Sequence, residues 1–203
     1  MRDLLGSSSR GERLALDVYR ADFRKRDFAV DGWDSWKLER RQHFVEPGDA
    51  SWRAHSEGDW ARALELIEAR RGELLQLSQL AADHDCRLLR VRVVEFPVTL
   101  YLIWELHLLR VRAECGELIR IVGPEQISQY EQGGQQLPEL ITLGPDTVYD
   151  ISYDATGLGD GATRYTDAAT RERVARFIAH LYDQGEDIES FMAREVAARV
   201  SVK

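Results

Sequence analysis

RLLRVRVVEFPVTLYLIWELHLLRVRAECGELIRIV, residues 87–122, is the stretch whose reading decides the fold. Arg87 to Phe96 reads as extended chain, and Pro97 stops it because its ring nitrogen carries no hydrogen to donate. Val98 to Ala113 then follows the helical period on two stripes. Tyr101, Trp104, Leu108 and Val111 form one stripe; Leu102, Leu106, Leu109 and Ala113 form the other. A helix apolar on two sides is expected to lie on a sheet and beneath another element. Gly116-Glu117 closes it, and Leu118 to Val122 returns as a strand, so the whole is a βαβ unit.

The first strand of that unit is unusual. Leu89, Val91, Val93 and Glu95 share one parity, and Leu88, Arg90, Arg92 and Val94 share the other. A central parallel strand is normally apolar on both faces. Arg90 and Arg92 therefore face either solvent or a polar site. Open α/β sheets place ligands beyond the carboxyl ends of such strands, and Glu95, Tyr101, Trp104 and Glu105 fall near that point. Tyr101 and Trp104 also suit plain core packing with hydroxyl and indole satisfied, and His107 suits packing better than ligation. Glu105 sits inside an enclosed helix, where a carboxylate needs a partner. Arg90 or Arg92 supplies one, either as a structural ion pair or as part of a ligand site.

Upstream, Glu12 to Arg26 reads as a short helix carrying Leu14, Val18 and Phe23. Asp34 to Phe44 alternates, with Trp36, Leu38 and Phe44 on one parity and Lys37, Glu39, Arg41 and His43 on the other. Its charged side is either a solvated sheet edge, where charge discourages pairing with other chains, or a ligand-facing strip. Glu46-Pro-Gly-Asp49 is a turn, and a polar loop, RAHSEGD, lies between Trp52 and Trp60. Asp59 is placed to cap a long helix from Trp60 to Asp83, which Gly72 weakens at its centre.

Downstream, residues 126–138 read as a polar loop with one helical turn. Leu140 to Leu143, Thr147 to Tyr153 and Ala162 to Thr166 are strands, the last two forming a hairpin. Helices follow from Ala168 to Gln184 and from Asp187 to Val200. The glycine-rich TGLGDG (156–161) lacks the Lys-Ser/Thr of a phosphate loop and joins two strands, so no phosphate site is assigned to it. The expected fold is α/β. A central mixed sheet has its βαβ core at 87–122, a long preceding helix, a C-terminal hairpin and two C-terminal helices. All of 1–203 forms a single domain: a flexible lead-in at 1–11, a helix, strand and loop at 12–58, and an α/β core at 59–203.

Hydrophobic residues make up 44% of the 203-residue chain and charged residues 31%, enough for a sizeable core. A net charge of −8 and a pI near 5.2 argue against an autonomous binder of nucleic-acid backbone. Cys86 and Cys115 have no metal-ligand spacing and suggest a reduced, cytoplasmic setting. No apolar leader and no membrane-spanning run is read. HExxH, paired CxxC, GxSxG and GxGxxG in a strand–helix context are all missing, so no catalytic residue, metal or cofactor is assigned.

DSWKLERRQHF, then EPG, Trp52, GDW and RVRVVEFPVTLYLIWEL, resemble an actinobacterial family called domain of unknown function 6879. The resemblance runs from about Tyr19 to Glu195. It implies a gene neighbourhood of Streptomyces-like helix-turn-helix regulators, and so a regulatory partnership. No activity comes with it. The order of elements also resembles one lobe of the phospholipase D-like fold. No histidine here has Lys two positions later, so the His-x-Lys-x4-Asp signature of its catalytic members is missing.

The expected function is thus a cytoplasmic regulatory or interaction protein. It would bind a transcriptional regulator or a small anionic ligand, without direct contact to nucleic acid or membrane. The candidate ligand-binding residues are Trp36, Arg90, Arg92, Glu95, Tyr101, Trp104 and Glu105. The alternative is an enzyme of unrecognised type acting on a nucleotide or phosphorylated metabolite. There Arg90 and Arg92 would hold the anion, Trp36 or Trp104 would stack the base, and Glu95 or Glu105 would serve as acid or base.

Overall fold

A computed structural model describes residues 4–6, 10–27 and 29–200. The expected lead-in at 1–11 falls outside these except at 4–6 and 10–11. The strands are β1 (Glu12–Ala15), β2 (Ser35–Glu39), β3 (Leu88–Val93), β4 (Leu118–Val122), β5 (Glu139–Leu143), β6 (Thr147–Tyr153), β7 (Gly159–Thr166) and β8 (Glu186–Asp187). They form one sheet in the order β1-β7-β6-β5-β2-β3-β4-β8. β2, β3 and β4 run parallel, and the remaining pairs are antiparallel. The α/β class, the mixed sheet and its βαβ core are as the sequence predicts.

The helices are α1 (Leu16–Asp27), α2 (Ala50–Ser56), α3 (Trp60–Ala69), α4 (Arg71–Asp83), α5 (Leu100–Glu114), α6 (Pro124–Ile127), α7 (Ala168–Gln184) and α8 (Ile188–Val200). α7 covers one sheet face. Its Val174, Ile178 and Leu181 pack with Leu38, Val91, Val93, Leu140 and Val148. On the other face α5 and α8 cover β4 through Leu102, Leu106, Leu109, Ile119, Ile121 and Phe191. The second stripe of α5 packs with α3 and α4, where Tyr101, Trp104 and Leu108 meet Phe44, Ile67 and Leu74. Both apolar stripes of α5 are thereby buried, each large side chain contributing about 1.5–3 kcal/mol by leaving water. Toward the other edge, α1 covers Ile141, Tyr149 and Ala162 with Tyr19 and Phe23.

Four local readings differ from expectation. Glu12–Ala15 is a strand, because Leu14 is buried against β7 and pairs with Ala162. That approach depends on Gly161, at φ 141°, where a Cβ would meet the Leu14 carbonyl at 2.1 Å. The polar stretch after Asp49 is a helix, α2, whose first amides are capped by the Asp49 carboxylate. The long helix breaks between α3 and α4 at Arg70, two residues before Gly72, where Arg70 reaches across to Asp49 at 2.9 Å. Finally, β2 is not a solvated edge: it lies inside the sheet between β5 and β3, and Glu39 on its charged side is buried. Asp59 caps α3 as expected, accepting from the Arg62 amide at 3.0 Å.

Candidate functional site

The parallel register of β2 and β3 sets Lys37 beside Arg90 and Glu39 beside Arg92. Lys37 also pairs with Ile141 of antiparallel β5, so Glu39 and Glu139, each two residues further on, come next in register. The charged sides of three neighbouring strands thus form one strip down the centre of the sheet. Arg90 donates to Glu39 at 2.5 Å and to Glu117 at 2.6 Å, and Glu117 also accepts from Arg112. Lys37 reaches the other oxygen of Glu39 at 2.5 Å. Arg92, at 0% exposure, donates to Glu105 at 2.7 Å, whose second oxygen accepts from the Tyr101 hydroxyl at 3.2 Å.

Burial and charge pairing displace these carboxyls in different directions. Burial pushes Glu39 up, but Arg90, Lys37 and Arg92 outweigh it and hold the group well below the usual carboxylate range. For Glu105 burial prevails over the pull of Arg92, with the negative Glu39 acting in the same direction as burial. Burial likewise raises Glu139, to about 7, against the pull of Arg92. One Glu139 oxygen accepts from the amides of Arg40 at 2.9 Å and Arg41 at 2.6 Å, while the other is sealed from solvent without a partner among the described residues.

Lys37 opens from this strip into a cleft of about 660 Å³. One wall is α1, with Tyr19 and Arg20; the other is the turn that follows β2, with Glu46; Ile151 and Tyr153 of β6 complete the lining. The turn is held in place from two sides. The Val45 amide donates to the Gly157 carbonyl at 2.9 Å, and Asp49 caps α2 while pairing with Arg70. Arg41 lies over the Tyr153 ring at 5.3 Å. Neither the Tyr19 nor the Tyr153 hydroxyl has a hydrogen-bond partner among the described residues. Burial pushes the Tyr19 hydroxyl up to about 12, and burial aided by Glu139 and Glu39 pushes Tyr153 up as well. Burial raises Glu46, against the pull of Lys37. Two neutral hydroxyls, an ammonium and a carboxyl thus face a volume suited to a small polar molecule.

The seven residues singled out from the sequence occupy four places. Arg90, Arg92, Glu105 and Tyr101 meet in the buried strip. Trp104 lies beyond Tyr101, its indole donating to the Ser51 hydroxyl at 2.9 Å, and Glu95 pairs with Arg40 past the end of β3 at 2.6 Å. Trp36 is on the opposite sheet face, edge-on to Tyr182. The sequence did not single out Tyr19, Glu46, Glu139 or Tyr153. The cleft residues Tyr19, Glu46 and Tyr153 are grouped by α1 folding over β6, which no local pattern encodes. Among the described residues no cluster of His, Cys, Asp and Glu could hold a metal ion, and no helix is long and apolar enough to cross a membrane.

No curated protein matches the sequence significantly. Among solved structures the chain is similar to TrmBL2, an archaeal chromatin protein described as showing a novel mode of DNA binding. The match has a TM-score of 0.42 at 8% identity and covers 89% of this chain. The chain spans 55% of the length of that structure's chain. A DNA-binding neighbour stands against the expectation that this protein makes no direct contact with nucleic acid, and that exclusion is withdrawn. A likeness so distant assigns nothing in its place. The model of one family matches residues 26–193, and the chain belongs to that family, described as Domain of unknown function (DUF6879).

Proposed function

We propose that this is a non-catalytic regulatory protein of the actinobacterial cytoplasm that binds a small polar ligand in the cleft over Lys37. Its partner would be a helix-turn-helix transcriptional regulator. The observation that carries this reading is the division of labour between strip and cleft. The strip's arginines are each held by a carboxylate, whereas the cleft offers hydroxyls with no partner among the described residues. A free hydroxyl at a half-buried position is ready to recognise a ligand's polar group. The resemblance to a phospholipase D-like lobe belongs to the same proposal. It rests on the order α3–α4, β3, α5, β4, β5, the β6–β7 hairpin and α7, and it supplies no catalytic signature.

A thermal-shift screen against nucleotides, sugars and phosphorylated metabolites tests this, because a ligand bound only by the folded state raises its melting temperature. The expected result is a concentration-dependent rise with at least one compound, lost in Tyr153→Phe. Recovery of a purified regulator in a pull-down, modulated by that compound, tests the partnership. The enzyme alternative has one observation in its favour, the Glu139 carboxyl near 7. Its free oxygen is sealed from solvent, so general acid–base work at a bound substrate would first require the strip to open.

A further inference from the structure

Four arginines of the described chain are buried: Arg40, Arg90, Arg92 and Arg171. Arg40 holds Glu95 and Glu131, Arg90 holds Glu39 and Glu117, and Arg92 holds Glu105. Arg171, at 8% exposure, has no carboxylate within ion-pair distance among the described residues. Its Nη2 donates to the Asp34 carbonyl at 2.8 Å, and its guanidinium lies 4.9 Å from the centre of the Trp33 ring. Among the described residues its Nε, sealed from solvent, has no partner, and neither has its Nη1. Burial draws the Arg171 pKa down, with Asp34 and Glu172 compensating only in part. A buried cation without a counter-anion is costly, and at the other three buried arginines of the described chain the cost is met by glutamates.

Beside Arg171 lies a cavity of about 440 Å³ where β2 and β3 begin, on the α7 side of the sheet and apart from the cleft. Trp33, Trp36 and Arg87 line it with Arg171. Trp33 is 42% exposed, and neither the Trp33 nor the Trp36 indole N–H has a partner among the described residues. Two acids also line the cavity. Asp34 is held by Arg87, and Asp85 is exposed, where water screens it. The cation without a carboxylate is therefore Arg171, and it stands with two indole donors next to flat aromatic surface.

We propose that this cavity binds a small anion attached to a flat ring. The phosphate or carboxylate would lie between Arg171 and Arg87, and the ring against Trp33 and Trp36. A bidentate or shared guanidinium contact supplies the charge recognition, and the indoles supply the stacking surface.

The test uses the full chain labelled with 15N and reads its five indole N–H signals during titration. The probes are adenosine monophosphate, indole-3-acetate, inorganic phosphate and uncharged adenosine. The Trp33 and Trp36 signals move with the ring-bearing anions, while that of Trp104, bound to Ser51, stays. The first two probes distinguish a phosphate ligand from a carboxylate one. Arg171→Gln abolishes the response in a chain whose Trp104 signal shows it to be folded. Trp33→Ala, at an exposed position, weakens the ring-bearing probes roughly tenfold and phosphate little. Tyr153→Phe, in the separate cleft, leaves the titration unchanged. Trp33 and Trp36 signals unmoved by every anion, or moved equally by adenosine, would overturn the proposal.

Discussion

Glu39 and Glu139 come next in register across β2 and β5, both buried, yet one is held below the ordinary carboxylate range and the other raised to about 7. Arg90, Lys37 and Arg92 surround Glu39, while Glu139 has two backbone amides and an oxygen with no partner among the described residues. Two like charges at this separation from water disfavour each other, so the better-paired group keeps the negative charge.

This asymmetry predicts a pH-dependent stability. Glu139 titrates near 7 when folded and near 4.5 when unfolded, so between those values the unfolded chain binds fewer protons and stability falls as pH rises. The size is about 3 kcal/mol by the difference in pKa. Glu39 and Glu117 act oppositely and below this window: their folded values are lowered, so their contribution is lost as pH falls beneath about 4.5. His107, depressed by burial, opposes Glu139 within the window, so the contribution is read as a difference between two proteins. Urea denaturation of wild type and Glu139→Gln from pH 5 to 8 should show the wild type losing stability relative to the variant. Parallel curves would refute the assignment.

Removing one partner of the Arg92–Glu105 pair is predicted to be far worse than replacing both. Glu105→Gln leaves a fully buried guanidinium without its anion and costs about 3–5 kcal/mol. The double change Arg92→Met with Glu105→Leu should recover most of that loss. Equilibrium denaturation of the two variants checks it, and equal destabilisation would show the strip to be more than paired charge.

Asp49 joins the cleft wall to α2, accepting from the Ser51 amide at 2.8 Å and the Trp52 amide at 3.1 Å while pairing with Arg70. Asp49→Ala is predicted to cost about 0.5–2 kcal/mol, the range of a lost N-cap. It should also loosen residues 45–49, seen as faster amide exchange there than in β3. Unchanged exchange in the turn would mean that the cap does not hold the wall.

The sequence was most legible where pattern is local. The parallel β3–α5–β4 unit, β6 and α7 follow from alternation, helical stripes and Pro or Gly stops within each segment. What it hid depends on distant partners. Glu12–Ala15 is a strand only because β7 lies alongside, and its residues alone look like the start of α1. Alternating Lys37 and Glu39 suit a wet edge as well as a buried strip. The difference lies in Arg90, Arg92 and Glu139 on other strands. For the site, Arg90, Arg92, Tyr101 and Glu105 were recognisable as a group, since a buried Glu needs an Arg. The cleft was not, because Tyr19, Glu46 and Tyr153 come from three segments that α1 and the 45–49 turn bring together.

The most direct measurement is a crystal structure of the chain grown with whichever compound raises its melting temperature and fails to do so for Tyr153→Phe. Electron density for that compound is expected between Tyr19 and Tyr153, over Lys37, with the Arg90–Glu39 and Arg92–Glu105 pairs intact beneath it. Density elsewhere with an empty cleft, or a compound bound to Arg90 or Arg92 with those pairs broken, would contradict it.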